Sequence, residues 1–162
     1  MILNRQRRVR VAVPPLERFL QRAKTEAGAA GSDVTVCFVT DSEMARMNKA
    51  FRSKSGSTDV LSFPSEGLPK KGKRPAPRIG VKLTRNASVR KDDAEAGRFL
   101  GDIAIAPETA RRYAQKNGRT VRNELRVLIL HGVLHLMGYD HETDNGEMER
   151  VEERLRARLG LV

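Results

Sequence analysis

The stretch Val121–Met137 constrains this chain most. Beyond Arg126 it is nearly all apolar and keeps a helical period. A helix that is apolar on every side needs other elements packed all around it. The chain must therefore fold around this segment, and Gly138 is placed to end it. Two histidines, His131 and His135, interrupt the apolar run, and His141 follows three residues after the glycine. The sequence has no other histidine. Each buried imidazole is a polar group that needs a partner.

A shared metal ion meets that need. Residues four apart on a helix lie on one face about 5–6 Å apart, so His131 and His135 can point at one ion. Gly138 accepts the positive φ of a sharp turn, which brings His141 back as a third donor. Three protein ligands with a fourth position left for water is the pattern of a catalytic zinc site. Imidazoles suit zinc, copper, iron or nickel, and the expectation is one zinc ion per chain on His131, His135 and His141. The spacing H-x-x-x-H-x-x-G-x-x-H is that of the long zincin motif except at one position. Gly132 stands where a zinc protease carries its general-base glutamate. That argues against ordinary peptide hydrolysis. It does not argue against hydrolysis as such, because zinc alone lowers the pKa of a bound water to about 7.

Around this segment the pattern alternates between strands and helices. Arg8–Val13 alternates basic and apolar residues and predicts a half-buried strand that Pro14-Pro15 ends. Leu16, Phe19, Leu20, Ala23 and Ala27 predict a helix closed by Gly28. Val34–Val39 predicts a more buried strand. Thr40-Asp41-Ser42-Glu43 has the form of a capping box ahead of a short helix with Met44, Met47 and Phe51 on its apolar side. Thr58–Pro64 and Leu100–Ala106 predict two more strands. Pro107 opens a helix that Asn117-Gly118 closes. Asp144 and Glu147 precede a last amphipathic helix carrying Met148, Val151, Leu155 and Leu159. Between strands, residues 65 to about 98 are rich in Pro, Gly and Lys, which predicts an extended, mobile basic loop; Ile79–Leu83 within it alternates weakly, as a short strand would. The length fits one domain, 1–162.

Charge and cysteine usage narrow the class. Lys and Arg number 31 against 20 Asp and Glu, a net charge of +11. A surplus of this size points to a polyanionic partner, of which nucleic acid is the usual one. Residues 65–98 hold ten of the basic and four of the acidic residues, so about half the excess is local. The single Cys37 cannot form an internal disulfide and sits in an apolar run, where it reads as a small buried hydrophobe. No apolar run reaches the length of a membrane span, and no signal-like stretch follows the basic N-terminus. A cytoplasmic location is expected.

Three blocks in order, Asn48–Arg52 leading to Thr58–Pro64, then Leu100–Ile105, then His131–His141, resemble the YbeY family of bacterial endoribonucleases and rRNA maturation factors. The resemblance implies an α+β fold in which a small mixed sheet packs against several helices around the histidine helix. It implies a zinc-dependent, single-strand-directed endoribonuclease acting in 16S rRNA 3′-end maturation and ribosome quality control. Its partners would be RNA, the small ribosomal subunit and that subunit's assembly factors, with neither membrane nor DNA. The family's cleft arginine falls on Arg52, where a guanidinium beside a metal can bind phosphate and steady developing charge. Asp59, Asp102 and Asp140 are candidates to orient the ligands, though Asp59 and Asp102 read equally well as turn and strand-end caps. Glu124 reads as a first-turn helix acid. Two alternatives stay open: a metallopeptidase-like hydrolase, and a non-catalytic ribosome assembly factor with a structural metal.

Overall fold

The apolar segment forms a helix over Val121–Leu136, and other described elements pack around it. The computed structural model describes residues 1–65 and 98–161. The expected basic loop, with its short strand at Ile79–Leu83, lies almost wholly outside the described residues. In chain order the described elements are β1 (Ile2–Asn4), α1 (Val13–Glu26), β2 (Asp33–Phe38), α2 (Asp41–Arg52), β3 (Val60–Pro64), β4 (Phe99–Ile105), α3 (Pro107–Lys116), α4 (Val121–Leu136) and α5 (Glu147–Leu159).

The strands form one mixed sheet in the order β1-β2-β4-β3, with β1–β2 and β2–β4 parallel and β3–β4 antiparallel. Because side chains alternate along a strand, the sheet presents two faces. Val34, Val36, Phe38, Ile103 and Ile105 join α1, α4 and α5 in the larger core. Cys37, Leu61 and Ala104 face the other way, onto Met44 and Met47 of α2. Burial pushes the Cys37 thiol pKa up, as befits a core residue rather than a nucleophile. This is the α+β architecture expected, with the histidine helix packed on β4 and the edge strand β3.

Two close approaches fix how α4 sits. A Cβ on Gly132 would lie 2.7 and 2.8 Å from Ile103 Cδ1 and Cγ2, so the helix backbone rests directly on β4. Gly101 adopts a φ of 145°, and a Cβ there would run into the Phe63 carbonyl oxygen of β3 and lie 2.9 Å from Leu136 Cδ2 of α4. Only glycine fits either place. Next to Gly101, Leu100 is the extra residue of a bulge, since Asp33 pairs with Phe99 and Val34 with Gly101.

The N-terminal region corrects the expectation. Arg8–Val13 forms no strand; β1 is Ile2–Asn4, and Val13-Pro14-Pro15 opens α1. Proline lacks only an N–H that the first helical turn leaves unused, so the pair starts the helix instead of ending a strand. The alternation at 8–13 reflects a loop that buries Val9 without a ladder. The Gln6 side chain stands in for the missing strand partner. Its Nε2 donates to the Val9 carbonyl and its Oε1 accepts from the Val9 N–H, both at 2.9 Å.

Candidate metal centre

The C-terminal end of α4 builds the site. Gly138, at φ 97°, closes the helix in a Schellman motif. Its N–H donates to the His135 carbonyl, and that of Tyr139 donates to Leu134. Asp140 then holds a tight turn. Its Oδ1 accepts from Glu142 N–H and its carbonyl accepts from the Thr143 and Asp144 N–H groups. Asp144 caps the start of α5 through the Gly146 and Met148 N–H groups, each at 2.8 Å. The reversal brings His141 back over the helix end and lays α5 beside α4.

The three imidazoles converge. One nitrogen from each of His131, His135 and His141 lies within 4.8 Å of the others. The rings stand 4.6, 5.6 and 5.3 Å apart, centre to centre. His131 and His135 are half-buried and His141 is exposed, so the cluster opens to solvent on the His141 side.

Glu152 of α5 sets the tautomer. Its Oε2 lies 3.0 Å from His131 Nδ1. A carboxylate only accepts, so Nδ1 carries the proton and Nε2 presents its lone pair to the cluster. Glu152 is itself held by Arg156, whose Nη2 donates to Oε1 at 2.5 Å. Burial alone would push the Glu152 carboxyl up, but the hydrogen bond and charge of His131, with Arg156, outweigh it and hold the pKa below the ordinary value. His135 moves in the sense a metal ligand needs. Burial, followed by repulsion from the neighbouring His131 and His141, lowers its pKa to about 4, leaving a neutral imidazole at pH 7.

This donor set fits a tetrahedral transition-metal ion. Two nitrogens each about 2.0–2.1 Å from one zinc ion lie roughly 3.3 Å apart, and His131 Nε2 and His135 Nε2 are 3.1 Å apart. A single shared proton could satisfy two of these nitrogens but not three.

The other residues singled out in the sequence sort by position. Arg52 ends α2, and its Nη2 reaches Glu142, beside His141, at 3.1 Å. Both partners are well exposed, so this ion pair is weak and exchangeable. Asp59 is a turn cap: its Oδ1 accepts from Val60 N–H at 2.9 Å and from the Thr58 hydroxyl. Asp102 alternates with Gly101 and Ile103 on β4, which puts it on the sheet face away from α4, so it does not orient the histidines. Asp140 shapes the turn instead of touching a ring. Glu124, in the first turn of α4, pairs with Arg119 at 3.3 Å. The orienting carboxylate is Glu152, which the sequence reading misses. Its signal is an acid on the apolar stripe of α5, between Met148 and Leu155.

Glu152→Gln keeps the shape but loses the acceptor-only carboxylate. It is expected to weaken metal binding by about 10–100-fold, read by titration with a competing chelator. Unchanged affinity would show that Glu152 serves packing alone.

Known proteins resemble this chain over most of its length. A family model described as endoribonuclease YbeY matches residues 2–160. The endoribonuclease YbeY of Koribacter versatilis is 40% identical over 161 residues, covering 99% of this chain and 86% of that one. Its counterpart in Solibacter usitatus is 38% identical over 148 residues, covering 91% and 80%. The solution structure of a Thermotoga maritima protein, at 24% identity, superposes with a TM-score of 0.55 over 98% of this chain and 89% of that one, and supports the fold. With the family match running from β1 to the end of α5 and taking in all three clustered histidines, the chain belongs to the YbeY family.

Proposed function

We propose that this chain is a zinc-dependent endoribonuclease directed at single-stranded RNA, acting in the cytoplasm on the 3′ end of 16S rRNA during maturation and quality control of the small ribosomal subunit. One observation carries the metal-dependent chemistry. His131, His135 and His141 converge, and among the described residues no Cys, Asp or Glu joins them as a fourth donor. Three ligands and an open side are the pattern of a catalytic site, whereas a structural zinc usually has four protein ligands. Family membership supports RNA as the substrate, and a net charge of +11 suits a polyanion.

A zinc ion held by the three histidines supplies a Lewis acid for a phosphoryl oxygen and a water of lowered pKa. The protein's own residues do the rest. Glu152 fixes the His131 ring with its lone pair facing the cluster. Arg52 offers two N–H donors to non-bridging phosphate oxygens, exchanging its exposed partner Glu142 for the substrate. The open side at His141 admits a strand. The peptidase alternative loses ground at Gly132, where packing against Ile103 leaves no room for a general-base side chain.

Arg52→Ala tests the assignment. Losing a preorganised donor to a developing phosphoryl charge is expected to cost about 10²–10³-fold in cleavage rate, with metal content unchanged. The assay compares a single-stranded 16S 3′-end RNA with its duplex. Cleavage that survives metal chelation, or that prefers the duplex, would overturn the reading.

A further inference from the structure

On the other side of α4 lies a second basic feature. An open pocket of about 300 Å³ forms between α1 and α4, lined by Arg18, Arg22, Arg122 and Arg126, with Phe19 and Leu159 among its walls. The midpoints of the pairs Arg122/Arg126 and His131/His135 are nine residues apart along α4. That is about 2.5 turns and about 14 Å of rise, so the two pairs sit on opposite faces of the helix. The pocket is therefore separate from the metal centre.

Its charges are arranged at a cost to the fold. Arg18 and Arg22 are i,i+4 neighbours on α1, and Arg122 and Arg126 are i,i+4 neighbours on α4. Like charges at this spacing repel. Arg122 also sits in the first turn of α4, where the helix dipole disfavours a cation. Among the described residues no acidic side chain pairs with any of the four, although Arg119 and Arg158 nearby each have a carboxylate partner. Arg126 is partly buried, its guanidinium carbon 5.5 Å from the centre of the Phe19 ring and its Nε without a hydrogen-bond partner among the described residues. Four guanidinium groups with no carboxylate partner among the described residues, one of them already stacked over Phe19, match a row of phosphates.

We infer that this pocket is a second RNA-binding site, which docks the phosphate backbone of a structured part of the RNA while the single strand to be cut reaches the histidines on the opposite face. The inference rests on the proposed ribonuclease function and adds an anchoring site remote from it. Shape and charge are the readout here; base identity is not, because the donors are guanidinium groups aimed at backbone oxygens.

The test compares wild type, the double variant Arg22→Gln/Arg122→Gln, and the charge-matched control Arg111→Gln/Lys116→Gln on α3. The probe is a 2′-O-methyl RNA of rRNA 3′-end sequence that includes a hairpin, titrated over a range of salt. For the pocket variant, affinity is expected to fall about tenfold or more. Its slope of log K against log salt should be shallower by roughly 1.4–1.8, the share of two phosphate contacts. Its melting temperature should hold or rise as the like-charge pairs are relieved, and its cleavage of a short single-stranded oligomer should stay at the wild-type rate. Equal losses in the control, or an unchanged slope in the pocket variant, would overturn the pocket. Tighter binding of polyglutamate than of RNA, lost in the pocket variant, would assign the pocket to an acidic protein instead and also overturn it. Failure of wild type to bind the RNA at all would overturn the ribonuclease reading beneath it.

Discussion

His135→Ala is expected to abolish metal retention and RNA cleavage together. Removing the middle imidazole leaves His131 and His141 with ring centres 5.6 Å apart and no third donor between them. Lewis-acid stabilisation of a phosphoryl group is worth several kcal/mol, and each 1.4 kcal/mol is tenfold, so the rate should fall by roughly 10³-fold or more. The fold should survive, because α4 is held by Leu125, Ile129, Leu130, Leu134 and Leu136 on its other sides, all at most 2% exposed. Circular dichroism and metal analysis on the same sample separate the outcomes. A folded variant that has lost its metal yet cleaves normally would remove the histidines from catalysis.

Gly132→Glu should unfold the protein without creating a peptidase. It restores the residue that a zinc protease has beside its first histidine, yet in this fold that position faces Ile103 of β4 with no space for even a Cβ. A glutamate there is both overpacked and buried without a partner, and a cost above about 3 kcal/mol is expected. Gly132→Ala sets two effects against each other. Alanine gains roughly 1 kcal/mol of helix propensity, while overpacking a filled core costs about 1–3 kcal/mol. With two Ile103 carbons inside 3.0 Å of the new methyl, overpacking wins. Adding Ile103→Val removes Cδ1, the nearer of them, and should recover part of the loss as a coupling between neighbours. Circular dichroism reads whether Gly132→Glu folds, and denaturant midpoints measure the two alanine variants. A stable, proteolytic Gly132→Glu protein would revive the peptidase alternative.

Much of this is legible in the sequence. A helical segment that beyond Arg126 has no polar side besides its histidines could only be central, and that part of α4 is. The capping box at Thr40 and Glu43 forms as written, with the Glu43 N–H donating to Thr40 Oγ1 at 3.2 Å and the Thr40 N–H donating to Glu43 Oε2 at 3.1 Å. Pro107 opens α3, β2 falls where β-branched residues cluster, and β4 falls on the apolar run expected at Leu100–Ala106. These signals are local, carried by neighbours in the chain.

What escaped depends on distance in space. Ile2–Asn4 is too short to show a period, and it becomes a strand only because β2 offers it an edge. Arg8–Val13 shows the period of a strand but has no strand beside it; Gln6 takes the partner's place. Asp102 looks like a neighbour of the site in sequence blocks, but strand alternation turns it to the far face. Glu152 is the reverse case. It lies 21 residues from His131 in the chain, and only the packing of α5 on α4 brings it to the ring. Gly132 reads in the sequence as an absent base, and in the fold as the point where helix and sheet touch.

The most direct test of the central claim is zinc K-edge absorption on the purified protein, with metal content measured on the same sample. About one zinc per chain is expected, in a site of three imidazole nitrogens and one light oxygen donor at about 2.0–2.1 Å. A fourth nitrogen or a sulfur from the protein would make the site a closed structural one. A protein that is folded and active with no transition metal would contradict the account outright.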